Sequence, residues 1–189
     1  MNKLLEILNN SKCLKEGHTA FRNGFHGNGW IDKSAIVRNP RILDSVAKLQ
    51  AEVVTSHFPD VEMLVAPIVD GAILASFIAR HLGLEFAMTD KWQDGTKFHK
   101  TNVPKPPKKI VFIEDLVFTG ESVEYNIEFL RSEGFEILGI TAWLNRQVKD
   151  LEGLKTVSLL DKSPYDFYSV DKCPLCKLNE PIKYEDVRE

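Results

Sequence analysis

Residues 109–134 read KIVFIEDLVFTGESVEYNIEFLRSEG, and this stretch decides the fold. Lys109 to Ile113 is an apolar run of β-branched and aromatic side chains, which suits a buried strand, and it stops at two acids, Glu114 and Asp115. A short turn follows with Phe118, Thr119, Gly120, Glu121 and Ser122, and then a helical stretch that ends at Gly134. In parallel sheets built from such units, ligands bind beyond the carboxyl ends of the strands. A helix N-terminus presents free N–H groups and a positive dipole end, both suited to a phosphate. Gly120 lets the backbone approach an anion closely, and Thr119 and Ser122 add hydroxyl donors. The two carboxylates would repel that phosphate on contact. Their chemistry fits hydrogen bonds from sugar hydroxyls, or Mg²⁺ held through water. Alternatively, they cap the turn and helix and do nothing else.

Outward from this unit the pattern repeats. Residues 2–9 and 43–58 carry apolar side chains at helical spacing. MLVAPIV, residues 63–69, is an apolar run too short for a helix, so a strand. Asp70 and Gly71 make a turn, residues 72–83 a helix, and 84–89 a second strand. Residues 136–144 and 157–160 supply further strands. Alternating strands and helices predict an α/β domain, a mostly parallel sheet flanked by helices on both faces. Three stretches read as irregular: the glycine-rich segment 17–29, the proline- and lysine-rich segment 90–108, which is expected to be a mobile loop, and the polar tail from Lys172. The expected organisation is one domain over 1–189, with an N-terminal segment 1–40, a core 41–160 and a tail 161–189.

The 189 residues are 43% hydrophobic and 27% charged, with a formal net charge of −3. That balance argues against a nucleic-acid binder, and the basic run HKTNVPKPPKK at 99–109 lacks the interleaved aromatics such binding uses. No apolar run reaches the ~20 residues of a membrane span. Three cysteines do not make a disulfide framework, so a reducing cytoplasm is the expected compartment. Cys173-Pro-Leu-Cys176 supplies two of the four ligands a structural zinc site needs. His18 or His26 could contribute, but the sequence assigns no metal site.

The segment VFIEDLVFTGES, residues 111–122, resembles the signature of the type I phosphoribosyltransferases. The resemblance implies their Rossmann-like fold with a small N-terminal hood. It implies that Glu114 and Asp115 contact the ribose hydroxyls of phosphoribosyl pyrophosphate, and that Phe118 to Ser122 wrap its 5-phosphate. By the same resemblance the backbone at Ile68, Val69, Asp70 and Gly71 takes the pyrophosphate. Lys91, which follows an acid in FAMTDKW, joins Glu114 and Asp115 as a catalytic candidate. Lys97, His99 and Lys100 would close over the pyrophosphate, or else form a solvated charged loop. GHTAFRNGFHGNGWIDKSA, residues 17–35, is similar to the hood of the orotate enzymes, with Arg22 and Trp30 at its basic and aromatic positions. GITAWLNRQ, residues 139–147, is similar to the strand whose arginine reaches the base, here Arg146. The competing roles are a packing aromatic for Trp30 and a surface ion pair with Asp150 for Arg146.

The resemblance therefore implies a pentosyltransferase of pyrimidine nucleotide biosynthesis. It would convert orotate and phosphoribosyl pyrophosphate to orotidine 5′-monophosphate and pyrophosphate. Mg²⁺ would be carried by the substrate pyrophosphate, and the enzyme would be a homodimer. Four features depart from the orotate pattern: Phe118 in place of a threonine, Asp70 in the pyrophosphate loop, Glu121 in the phosphate turn, and a loop without a compact Lys-Asp-His-Gly run. They leave open transfer to another nucleobase, and a non-catalytic regulator that binds phosphoribosyl pyrophosphate or a nucleotide.

Overall fold

The computed structural model describes residues 2–93, 95–146, 151, 153–160 and 162–187. The chain order is α1 (Lys3–Asn10), β1 (Leu14–Phe21), β2 (Phe25–Ile31), α2 (Ser34–Val37), α3 (Pro40–His57), β3 (Met63–Pro67), α4 (Asp70–Leu82), β4 (Glu85–Trp92), β5 (Gly95–Phe98), β6 (Lys109–Ile113), β7 (Leu116–Val117), α5 (Glu121–Ser132), β8 (Glu136–Asn145), β9 (Thr156–Leu160), β10 (Phe167–Ser169), α6 (Pro174–Lys177) and β11 (Tyr184–Val187). The main sheet runs β5-β4-β3-β6-β8-β7, with β9 also on β8. All its pairings are parallel except β4 with β5.

Both faces of this sheet are covered, and the side-chain period of two sorts its residues between them. Leu64, Ala66, Val111 and Ile113 turn to one side, where Leu43, Val46, Val54, Leu74 and Ile78 of α3 and α4 meet them. Met63, Val65, Ile110 and Phe112 turn to the other, against Val123, Ile127 and Leu130 of α5. Helix α1 joins the first layer through Leu4 and Leu8, and the Asn2 side chain, which caps it, donates to the Leu159 carbonyl. Residues 2–10 thus pack on the core and not with the hood. Among the described residues no helix is long and apolar enough to cross a membrane.

The hood is a second sheet, β10-β2-β1-β11, and it corrects two sequence expectations. The glycine-rich segment 17–29 is not irregular but lies in the antiparallel β1–β2 hairpin. Its glycines serve close approach: a Cβ on Gly29 would fall 2.3 Å from the Tyr165 ring and 2.5 Å from the Lys15 carbonyl oxygen. The tail is not irregular either, since α6 and β11 are formed and β11 pairs parallel with β1. Their partners lie about 150 residues away in sequence, where local pattern carries no signal.

The expected mobile loop is corrected too. Strands β4 (Glu85–Trp92) and β5 (Gly95–Phe98) pair antiparallel, with Asp90 opposite Lys97 and Lys91 opposite Thr96. Beyond β5, Asn102 is tied to β4 by its side chain, donating to the Phe86 carbonyl and accepting from the Met88 N–H.

Candidate active site

The site lies at the carboxyl end of β6, where two carboxylates, a glycine turn and a helix start follow within eight residues. Glu114 and Asp115 are more than nine-tenths buried. The Glu114 backbone is anchored through its N–H to the Thr141 carbonyl, and the buried Gln50 side chain donates to the Thr141 and Glu114 carbonyls. Asp115 accepts the Leu116 N–H at 2.6 Å. Its other oxygen is 2.7 Å from the Lys33 ammonium, which leaves the end of the hood to reach it. Burial alone would lower the Lys33 pKa, but the facing charges of Asp115, Glu114 and Asp70 outweigh it and raise the value. Burial, reinforced by Asp115, pushes the Glu114 carboxyl well above the usual carboxylate range, with Lys33 offsetting part of the rise. One cation therefore faces two adjacent carboxyls, and Glu114 is the one pushed toward its neutral, proton-donating form.

Next in the chain, Gly120 adopts φ +82°, a left-handed conformation that a side chain would strain. It caps α5 without a side-chain hydrogen bond, so the first N–H groups of the helix remain available. They open on a cleft of about 420 Å³ whose lining includes Thr119, Gly120, Glu121, Ser122, Ile68 and Lys91. Glu121 does not block it: its carboxylate accepts from the Tyr125 hydroxyl at 3.0 Å, one turn along the helix. Lys91 stands over the Tyr125 ring, 4.7 Å from its centroid.

Across the cleft, Asp70 and Gly71 open α4, so their N–H groups are among those a helix start leaves free. The Ile68 N–H is committed to the Thr89 carbonyl, however, and so is not a pyrophosphate donor. Val69 is 63% exposed, the apolar tip of this loop.

A second pocket of about 510 Å³ adjoins the first at Phe118 and Thr119. Arg146 lines it, its guanidinium carbon 3.5 Å from the centroid of the Phe167 ring and 4.9 Å from that of Phe118. Phe118 also packs on Phe21 and Phe25, at centroid distances of 5.8 and 5.4 Å. The expected partner Asp150, like Gln147, lies outside the described residues.

The structure thus brings Phe118–Ser122, Ile68, Lys91 and Arg146 to the walls of one pair of pockets, and buries Glu114 and Asp115 directly before Leu116, which lines the first. It does not bring the others. Strand alternation turns Thr96 to the cleft and Phe98 onto Phe129 and Phe135, so Lys97 takes the opposite side of β5. His99 and Lys100 follow β5 and line no described pocket wall of the cleft. Arg22 is held away by a bidentate pair with Asp186 of β11, at 2.8 and 2.7 Å. Trp30 packs edge-on against Tyr184 under the tail.

Lys33, Asn23, Phe25 and Phe167 are the site residues that sequence reasoning missed. Lys33 carried little signal, since the residues before it, with His26, Gly27, Asn28 and Gly29, do not read as an apolar strand. Phe167 carried none, being placed by the β10–β2 pairing. Separately, the hood gathers His18, His26, Cys173 and Cys176, whose ligand atoms all lie within 4.8 Å of one another. The sequence offered Cys173 and Cys176 with His18 or His26 but assigned no site, and the fold brings all four together.

Comparison with known proteins agrees with this architecture. The family model described as "Phosphoribosyl transferase domain" matches residues 32–173. The chain is 29% identical over 179 residues to the orotate phosphoribosyltransferase of Thermotoga maritima, covering 94% of both chains. It is 26% identical over 187 residues to that of Helicobacter pylori, covering 92% of this chain and 93% of the other. Among solved structures, orotate phosphoribosyltransferase from Aeropyrum pernix superposes with a TM-score of 0.72 at 19% identity, covering 82% of this chain and 92% of that one. Adenine phosphoribosyltransferase from Saccharomyces cerevisiae gives 0.64 at 17% identity, covering 82% and 99%. At such identities the structures speak for the fold, while the family model spans most of the sequence. With the acid pair, the left-handed glycine and the open helix start all inside the matched residues, the chain belongs to the phosphoribosyl transferase family.

Proposed function

We propose that the protein is an orotate phosphoribosyltransferase. It breaks the bond between the sugar C1 and the pyrophosphate oxygen and forms a bond from C1 to a ring nitrogen of orotate. The observation that carries this reading is the adjacency of two pockets. One has the Gly120 turn and the α5 start, with the buried acid pair directly preceding its lining residue Leu116, and the other has Arg146 on its wall. Arg146 suits a carboxylate-bearing base because its fork of donors pairs with a carboxylate in bidentate geometry. The Phe118 and Phe167 rings suit a flat ring.

In this reading the α5 start, Thr119 and Ser122 hold the 5-phosphate, and Glu114 and Asp115 take the ribose hydroxyls. Both Asp115 oxygens already have partners in the chain, but each carboxylate oxygen accepts more than one hydrogen bond. The transition state gathers positive charge on the sugar and negative charge on the leaving group. Catalysis then consists of positioning and charge stabilisation, with Lys91 and the Asp70 and Gly71 amides facing the pyrophosphate. Mg²⁺ fits as an escort of that pyrophosphate: Asp90 lines the cleft and Asp70 stands at its edge, and both offer the hard oxygen ligands the ion prefers. It would supply countercharge to the leaving group. The exposed Trp92 and Val103 give the β4–β5 edge an apolar surface for a homodimer, in a cytoplasmic enzyme of pyrimidine synthesis.

A second reading, transfer to a different nucleobase, is favoured by Phe118, which cannot donate a hydrogen bond and packs with three other rings. One measurement separates the readings: pyrophosphate release from phosphoribosyl pyrophosphate and Mg²⁺ with a panel of bases. Release with orotate alone is expected. Release only with another base selects the second reading. Tight binding without turnover on any base selects a regulator. Asp115→Asn is expected to weaken phosphoribosyl pyrophosphate binding, and unchanged affinity would remove the ribose assignment.

A further inference from the structure

We infer that the hood holds a structural zinc ion, ligated by His18, His26, Cys173 and Cys176. His18 Nε2 lies 2.9 Å from His26 Nδ1, 3.6 Å from Cys176 Sγ and 3.7 Å from Cys173 Sγ. Cys176 Sγ lies 3.2 Å from His26 Nδ1. A tetrahedral ion with Zn–N near 2.0–2.1 Å and Zn–S near 2.3 Å sets its ligands about 3.3–3.8 Å apart. Those four separations lie in that range or within about 0.4 Å of it, and all the ligand atoms lie within 4.8 Å of one another, so a small closure of the group would seat the ion. Three of the residues are more than nine-tenths buried, and Cys176 is partly so.

The protonation of His18 supports the assignment. Its Nδ1 is 2.8 Å from the Glu180 carbonyl oxygen, which can only accept, so Nδ1 carries the proton. In the neutral imidazole the Nε2 lone pair then points at the other three ligand atoms. A metal-bound histidine is held in this way, by a carbonyl on its far ring nitrogen that fixes its tautomer. The cysteines lie either side of Pro174 and Leu175 at the start of α6, the two-residue spacing of zinc-binding cysteine pairs. All four positions are filled by protein, which leaves no open site for a substrate and makes the role structural.

That role is specific to this architecture. His18 lies on β1, His26 on β2, and both cysteines in the tail, so the ion would clamp the tail to the hairpin. Between the clamped ends lies β10, whose Tyr168 pairs with His26 and whose Phe167 stacks on Arg146. The zinc therefore holds the wall of the Arg146 pocket from behind. The inference does not depend on which base is transferred.

The test uses the full chain purified under reducing conditions. Elemental analysis is expected to find one zinc per chain, and cobalt(II) exchanged into the protein is expected to show thiolate charge-transfer bands and tetrahedral d–d bands. Cys176→Ser is expected to weaken zinc binding by about a hundredfold or more, beyond the ~10–100-fold typical of losing a group that only hydrogen-bonds a ligand. Cys13→Ala, in the core away from the cluster, is expected to keep one zinc. A wild-type chain that takes up no zinc or cobalt overturns the inference, as does a Cys173–Cys176 disulfide formed in place of binding. Zinc retained at full affinity by Cys176→Ser overturns the ligand set. Should that variant fail to fold, absence of the cobalt–thiolate signature in the wild-type chain overturns it equally.

Discussion

The phosphate end of the cleft comes from one continuous stretch, residues 109–122, whereas the Arg146 end is assembled from distant ones. There Phe25 comes from the hood, Phe118 and Arg146 from loops beyond the sheet, and Phe167 from the tail. At the first end the ligand-facing groups are largely backbone N–H groups, and a glycine's φ of +82° sets their direction. At the second they are side chains, and their positions depend on how the hood seats on the core. A phosphate is the same in every substrate of this chemistry, so backbone donors fixed by a turn suffice. A base differs between substrates, and side chains on a separable sheet can change without disturbing the turn. The two ends adjoin at Phe118 and Thr119, and the hood reaches the acid pair through an ion pair, Lys33 on Asp115.

Breaking that contact has the largest expected effect. Lys33→Met removes the ammonium from two buried carboxyls, and losing one partner of a buried pair typically costs about 3–5 kcal/mol. Urea denaturation at neutral pH checks it. The pH dependence gives a second handle. Lys33 has a raised pKa in the folded state, so its stabilisation is complete below its unfolded value of roughly 10.4 and is lost as pH rises through the higher folded value. The variant should lack that alkaline loss. Glu114, also raised, binds its proton more tightly when folded. Its contribution to stability is therefore greatest below roughly pH 4.3 and falls as pH rises toward its folded value. Without Lys33 this fall should steepen and extend to higher pH.

A paired substitution sharpens the comparison at intermediate size. Gly120→Ala forces a side chain into a left-handed conformation, at a cost of about 1–2 kcal/mol. It should raise the KM for phosphoribosyl pyrophosphate and leave the KM for the base little changed. Gly29→Ala drives a Cβ into the Lys15 carbonyl and the Tyr165 ring, overpacking worth about 1–3 kcal/mol. Tyr165 lines the Arg146 pocket, so this change should raise the KM for the base instead. Steady-state kinetics with each substrate varied in turn decides the matter. If both variants shift the same KM, the two ends are not separately built.

Sequence legibility divides along the same line. The βα units of the core were readable because each is local: an apolar run of five residues, a glycine turn and a helix period, as at Lys109–Ser132. The acid pair and the Gly120 turn were readable for the same reason. The hood was not, because Gly27 and Gly29 are there to admit residues 165–166, and nothing near them in sequence says so. The β4–β5 pairing was hidden by prolines and lysines that lie mostly after it. In the His/Cys cluster the spacing of Cys173 and Cys176 was plain and His18 or His26 could be named, but that both histidines join them waited on the pairing that brings β1 and β2 to the tail.

The smallest expected effect falls on the residue for which sequence and structure differ most plainly. By resemblance Arg22 contacts the base. In the fold its guanidinium is paired with Asp186 on an exposed edge, its side chain 51% accessible, and it lines neither the cleft nor the Arg146 pocket. Exposed pairs of this kind contribute little to stability. Arg22 lowers the Asp186 pKa by hydrogen bonding, so whatever the pair contributes is present above the unfolded value of roughly 3.9 and is lost as pH falls through the folded one. Arg22→Ala should therefore leave both KM values within about twofold of wild type, as surface changes away from a site do. The melting temperature should be nearly unchanged at pH 7, with the difference from wild type vanishing in acid. A tenfold rise in the KM for the base would mean that Arg22 leaves Asp186 when the base binds. The hood would then be a closing element, and the division between a fixed phosphate end and a seated base end would have to be redrawn around its motion.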